Sequence, residues 1–199
     1  MSSPPRRLDS VGVFCGSSNA ADPALIAAAA SLGGILAREG LRLVYGGGGV
    51  GLMGACARAA HLAGGRVLGV IPQFLTHVEA APARADIVVV ASMHERKMTM
   101  FEAADAFAVL PGAIGTLEEA IELLSWRRLG LHAKPIVFYN PGGFWDPLFA
   151  HFRQFIEAEL LPSEFADCWR AVDDIADVLP ALRAMPATFM AAPGVTALI

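Results

Sequence analysis

Short apolar runs recur along the chain at 11–15, 41–45, 66–71, 87–90, 106–110 and 135–139, each closed by or soon followed by glycine, proline or a small polar residue. Runs of this length with little polar alternation read as strands buried on both faces. Between them lie longer Ala- and Leu-rich stretches with helical spacing, at 22–39, 51–63, 93–104, 116–128 and 146–159. Regular alternation of strand and helix predicts a parallel sheet covered on both sides. The expected fold is therefore α/β, a Rossmann-like doubly wound sheet in three layers. Residues 1–199 form one domain, with 1–9 and 186–199 as flexible ends.

Boundary residues sharpen the pattern. Asp22-Pro23 suits an N-cap and first helical position. Ser92 with Glu95, and Thr116 with Glu119, have the spacing of a capping box. The stretch 184–199 is apolar, but Pro186 and Pro193 interrupt it and it is short for a bilayer crossing, so packing on a neighbour or fraying is expected.

Composition narrows the function classes. The chain has 199 residues, 55% of them hydrophobic and 17% charged, with a formal net charge of -4. That balance supports a sizeable core and offers no extended basic surface for nucleic acid or an anionic membrane. Cys15, Cys56 and Cys168 are odd in number and widely spaced, which argues against a disulfide framework and for a reducing, cytoplasmic setting. The start lacks a signal-peptide apolar core, and neither export nor a transmembrane helix is expected. Histidines 61, 77, 94, 132 and 151 show no metal-ligand spacing, and no metal site or cofactor is expected.

In open parallel sheets ligands bind beyond the carboxyl ends of the strands, so the loops there carry the candidate chemistry. Three are rich in glycine or small residues and lead into helices: 15–19, 46–54 and 111–116. Glycine allows close backbone approach, and a helix start offers unpaired N–H donors, so phosphate is the natural guest. Gly49, Gly51 and Gly54 also match a dinucleotide fingerprint. That match is weak, because the loop follows the second strand and the run 66–71 ends without the expected acidic residue. Arg96 and Lys97 stand at a helix start, where a cation opposes the macrodipole unless an anion is nearby. Lys97 and Lys134 are the only lysines. Glu119 lies early in the following helix, where proximity to the N-terminus favours its ionised form; Glu118 and Glu122, four apart, read as solvated.

Met93-His94-Glu95-Arg96-Lys97, followed by Pro111-Gly112-Ala113-Ile114-Gly115-Thr116-Leu117-Glu118-Glu119, resembles the two-part signature of the LOG ("Lonely guy") family. Further likeness lies in Cys15-Gly16-Ser17-Ser18, the loop 45–54, Glu79, Trp126 and Gly143-Phe144-Trp145-Asp146. The resemblance implies a cytokinin riboside 5′-monophosphate phosphoribohydrolase, which cleaves the N-glycosidic bond of N6-substituted AMP, or of AMP itself, to free base and ribose 5-phosphate. It implies catalytic roles for Arg96 and Glu119. It also implies nucleotide binding by Glu79, Lys97, Gly112, Ala113, Ile114, Gly115, Thr116, Leu117 and Glu118, and a homodimer; from the loops themselves, Ser17, Gly47, Gly48 and Gly51 read as further phosphate or ribose contacts. Ala113 stands where the family motif has its second glycine, which would strain the backbone if that position required positive φ. The older label for such proteins, lysine decarboxylase, finds no support here, since pyridoxal phosphate would require a Schiff-base lysine and an acid for its ring nitrogen. Two other readings stay open: a non-catalytic nucleotide carrier or sensor using the same loops, and an NAD- or FAD-dependent oxidoreductase.

Overall fold

In a computed structural model of the chain, residues 7–76 and 86–186 are described. Seven strands form one parallel sheet: β1 (Ser10–Phe14), β2 (Arg42–Tyr45), β3 (Val67–Pro72), β4 (Asp86–Val90), β5 (Ala106–Val109), β6 (Ile136–Tyr139) and β7 (Arg170–Val172). Among the described residues six α-helices flank it: α1 (Pro23–Arg38), α2 (Gly51–Leu62), α3 (Met93–Ala103), α4 (Ile114–Arg128), α5 (Asp146–Glu157) and α6 (Val178–Ala184). The spatial order is β4-β3-β2-β1-β5-β6-β7. The chain winds outward from β1 to β4, then returns to the other side of β1 and winds outward again. The carboxyl ends of β1 and β5 therefore flank the topological switch point, where open α/β sheets bind ligands.

Alternate residues on each central strand feed two cores. Val11 and Val13 of β1, and Ala106 and Ala108 of β5, pack under α1, α2 and α6; Phe107 and Val109 of β5, and Phe138 of β6, pack under α3, α4 and α5. Such two-faced burial is why these strands read as uninterrupted apolar runs. Gly33 of α1 lies against the Cys56 carbonyl of α2, where a β-carbon would come within 2.1 Å, so α1 and α2 pack backbone to backbone. Among the described residues no helix is long and apolar enough to cross a membrane.

Several boundaries and two elements depart from the sequence reading. β4 is not buried on both faces. It is an edge strand, and Ile87, Val88 and Val89 are exposed. β7 and α6 escape the pattern because one is three residues long and largely exposed and the other is seven residues long with Pro180 inside it. Asp22 caps α1 by accepting from the Ala24 amide, and Ser92 caps α3 by accepting from the Glu95 amide at 3.1 Å. The second capping box does not form: α4 begins at Ile114 with Ala113 as N-cap, so Thr116 lies inside the helix.

Candidate active site

A cavity of about 510 Å³ opens at the switch point between β1 and β5. Its floor is built by two loops stitched together: the Leu110 amide donates to the Phe14 carbonyl at 2.9 Å, and the Gly16 amide to the Pro111 carbonyl at 3.1 Å. Ser17, Ser18 and Cys15 line it from the β1 side; Gly112, Ala113, Gly115 and Thr116 line it from the β5 side. Arg96 enters from α3, and Glu118 and Glu119 from α4. Leu25, Leu52, Met53, Met93 and Phe144 give it an apolar portion.

Two ionisable groups of opposite charge are buried in that wall. Arg96 is only 7% exposed; its Nη2 donates to the Gly46 carbonyl at 3.0 Å, while its Nε is buried without a hydrogen-bond partner among the described residues. Gly46 makes the approach possible, since a β-carbon there would fall 1.9 Å from the guanidinium. Glu119 is 9% exposed, and burial pushes its carboxyl up from 4.5 to about 7, a rise that the charge of Arg96 opposes and Glu118 reinforces. This corrects the expectation that the helix start keeps Glu119 ionised. Glu119 lies in the second turn, beyond the strongest reach of the terminal dipole, and desolvation outweighs the dipole. A carboxyl titrating near 7 beside a buried guanidinium can serve as a proton acceptor and can face positive charge developing on a substrate.

The α4 start is open to an anion. Ala113 caps it without a side-chain hydrogen bond, leaving the first-turn amides free of any side-chain acceptor among the described residues. Ala113 has φ -97°, ordinary extended backbone, so its β-carbon brings no strain. The glycine the loop requires is Gly112, where a β-carbon would lie 2.2 Å from the Thr116 hydroxyl.

The other expected ligands are placed differently. Gly47, Gly48 and Gly51 do not line the cavity; their segment contributes Leu52 and Met53 instead. Ile114 points outward at 78% exposure, and Leu117 packs against the core under α4. Lys97 does not line the cavity but pairs with Glu118 and, at 2.9 Å, with Glu122. The reading of Glu118 and Glu122 as merely solvated is corrected accordingly. Glu79 lies outside the described residues. Cys15, Asp22, Leu25 and the Leu52-Met53 pair line the cavity without having been singled out as ligands. Phe144 follows β6 on the same sheet edge, and the Pro141-Gly142-Gly143 turn before it is the signal that would have pointed there.

Neither lysine is disposed for Schiff-base chemistry. Lys97 is held by two carboxylates, and Lys134 Nζ donates to the Phe101 and Ala104 carbonyls at the end of α3.

The family model described as "possible lysine decarboxylase" matches residues 53–182. The chain is 45% identical over 154 residues to a probable cytokinin riboside 5′-monophosphate phosphoribohydrolase, LOGL1, of Oryza sativa subsp. japonica, covering 76% of this chain and 69% of that one. It is 45% identical over 143 residues to the cytokinin riboside 5′-monophosphate phosphoribohydrolase LOG7 of Arabidopsis thaliana, covering 71% of this chain and 66% of that one. The match thus spans about two thirds of these plant relatives' own length. Among solved structures, the molybdenum cofactor binding protein of Rippkaea orientalis superimposes with a TM-score of 0.67 at 23% identity, covering 87% of this chain and 94% of that one, a likeness of fold. With the family model covering most of the chain and relatives at this identity, the chain belongs to the LOG family.

Proposed function

We propose that this chain hydrolyses the N-glycosidic bond of an adenosine 5′-monophosphate, N6-substituted or plain, releasing the free base and ribose 5-phosphate. The observation that carries the reading is the burial of Glu119 and Arg96 in the wall of one cavity whose floor includes an uncapped helix start. The phosphorylated end of the nucleotide sits at the amides of Ala113, Ile114 and Gly115, with Ser17 and Thr116 as further donors. Phosphate anchoring fixes the ribose relative to the reacting groups, and that positioning supplies much of the rate. As the base departs, the ribose takes on oxocarbenium character. Ionised Glu119 stabilises that charge and accepts a proton from the attacking water, while Arg96 holds the ribose phosphate or the carboxylate itself. The apolar portion formed by Leu25, Leu52, Met53, Met93 and Phe144 receives the base.

We also infer a homodimer in the cytoplasm. In support, Ile114 and Ile121, seven residues apart on α4, are both exposed apolar side chains that a second copy could cover. The three cysteines are buried and unpaired, in keeping with a reducing compartment.

The test is incubation of the purified chain with AMP and with N6-isopentenyl-AMP, following base and ribose 5-phosphate by chromatography. The wild type releases base, and Glu119→Gln loses at least about a thousandfold in kcat with nucleotide affinity nearly unchanged. Full activity in that variant would remove Glu119 from the mechanism. Binding of both nucleotides without base release would favour a carrier.

A further inference from the structure

Two helix starts open on the cavity, and they differ in what they offer an anion. Ala113 starts α4 without a capping side chain, while Asp22 caps α1 and, with Ala21 and Leu25, lines the same cavity. At α1 the first-turn donors are spent within the protein. Pro23 has no N–H, the Ala24 amide donates to Asp22 Oδ1 at 2.8 Å, and the Leu25 and Ile26 amides donate to the Asp22 carbonyl at 3.0 and 3.1 Å. This start therefore presents the cavity with a carboxylate and no free N–H group.

The charges around the cavity set Asp22 apart. Among the described residues the ionised or ionisable Asp, Glu and Arg side chains lining it are Asp22, Arg96, Glu118 and Glu119. Arg96 is 7% exposed, its Nε has no partner among the described residues, and it is the cation of the wall available to an anionic ligand. Glu119 feels the charge of Arg96, and Glu118 is paired with Lys97. Asp22 has no ion-pair partner among the described residues. One guanidinium and one uncapped helix start suit a single phosphate. Every further phosphate brings more negative charge to a wall in which carboxyl groups already outnumber the guanidinium.

We propose that Asp22 is a specificity-determining residue: its carboxylate, at an α1 start with no donor left to give, rejects nucleoside di- and triphosphates and confines the cavity to a monophosphate. The inference deepens the hydrolase reading and rests on it for the place of the phosphate at the α4 start. Excluding a wrong ligand by an unpaired like charge is a general route to specificity. The same carboxylate caps α1, so the fold and the discrimination are served by one side chain. Asparagine separates the two roles, because it keeps the capping oxygen and replaces the second carboxylate oxygen by a donor.

The experiment measures AMP and ADP dissociation constants by calorimetry, with a chelator present, in the full chain carrying Glu119→Gln so that base is not released during the titration. That parent binds ADP at least about tenfold more weakly than AMP; adding Asp22→Asn tightens AMP about twofold and brings ADP to within about threefold of it. Asp86→Asn, which removes the same charge at the amino end of β4 on the opposite edge of the sheet, leaves the parent's ratio in place. An Asp22→Asn ratio equal to the parent's would reduce Asp22 to a helix cap and overturn the proposal, as would equal binding of AMP and ADP by the parent, an equal shift from Asp86→Asn, or no binding of AMP at all. Should AMP bind but the wild type release no base from it, the hydrolase reading falls alone, and the ADP-to-AMP ratio still decides the role of Asp22.

Discussion

Two glycine-rich loops follow neighbouring parts of the same sheet and lead into helices, yet their backbones serve different ends. In the loop before α2 two donors at the helix start are taken up by the protein: the Gly51 amide donates to Asn19 Oδ1 at 2.9 Å, and the Met53 amide to the Gly16 carbonyl. Its glycines answer packing. Gly51 has φ +57° and presses on the backbone of Ser17 and Ser18, and a β-carbon on Gly54 would come within 2.1 Å of the Gly49 carbonyl. In the loop before α4, Ala113 caps the helix without a side-chain acceptor, and Gly115 has nothing within 4 Å of its missing β-carbon. A fingerprint of glycines thus reports only that backbone comes close to something; whether the neighbour is protein or ligand depends on which donors remain unspent.

The sharpest way to break this contrast is Gly51→Ala. The substitution meets both positive φ and backbone atoms of Ser17 and Ser18 between 2.5 and 2.8 Å away, so neither rotamer change nor side-chain movement relieves it. A loss of about 3–5 kcal/mol in unfolding free energy is expected from denaturant titration. Nucleotide affinity of the folded fraction, measured by calorimetry, falls only modestly, through the displaced Ser17 and Ser18 that line the cavity. A mutant of full stability but with weakened nucleotide binding would move phosphate recognition to this loop.

Glu119 gives a second, somewhat smaller effect, on the functional side of the contrast. Because its folded titration point, about 7, lies above the 4.5 of the free carboxyl, the folded state binds the proton more tightly than the unfolded chain. Its favourable contribution is complete below about pH 4.5, declines as pH rises, and is gone above about 7. Glu119→Gln carries no such loss. Its stability advantage over wild type should grow between those limits and level off at roughly 3 kcal/mol, seen as a melting temperature higher by several degrees at pH 8 and nearly equal at pH 4.5. Equal melting temperatures at both pH values would mean that the carboxyl titrates normally. In the same window, kcat/KM of the wild type rises as the carboxylate forms.

The sheet was legible because its central strands are buried on both faces, and the switch-point loops were legible because glycine marks them. β7 and α6 were not, since an exposed strand of three residues and a short helix containing Pro180 leave no periodic trace. Arg96 and Glu119 were picked out from their types and positions. The protonation of Glu119 is not legible in the sequence, because chain position tells of the helix dipole while burial is a property of the assembled cavity. The Lys97 pairing joins residues 21 positions apart and exists only once α3 lies beside α4. Capping spacing at Thr116 and Glu119 misled for a related reason: Ala113, which has no capping side chain, starts the helix three residues earlier than Thr116.

Gly115→Ala produces the smallest change in stability and separates the two loops most cleanly. Gly115 lies in the first turn of α4 with open space where a β-carbon would go, and its φ does not call for glycine. Alanine there should stabilise the helix by about 0.5–1 kcal/mol, the usual gain over glycine in a helix. The same methyl group projects at the edge of the cavity, where the proposed phosphate meets the helix amides. A more stable protein with AMP affinity reduced about tenfold would show that this space belongs to the ligand, because no contact within the protein is disturbed. Equal affinity would move the phosphate away from the α4 start toward Ser17 and Arg96, leaving Gly115 as a residue the helix tolerates and the substrate never meets.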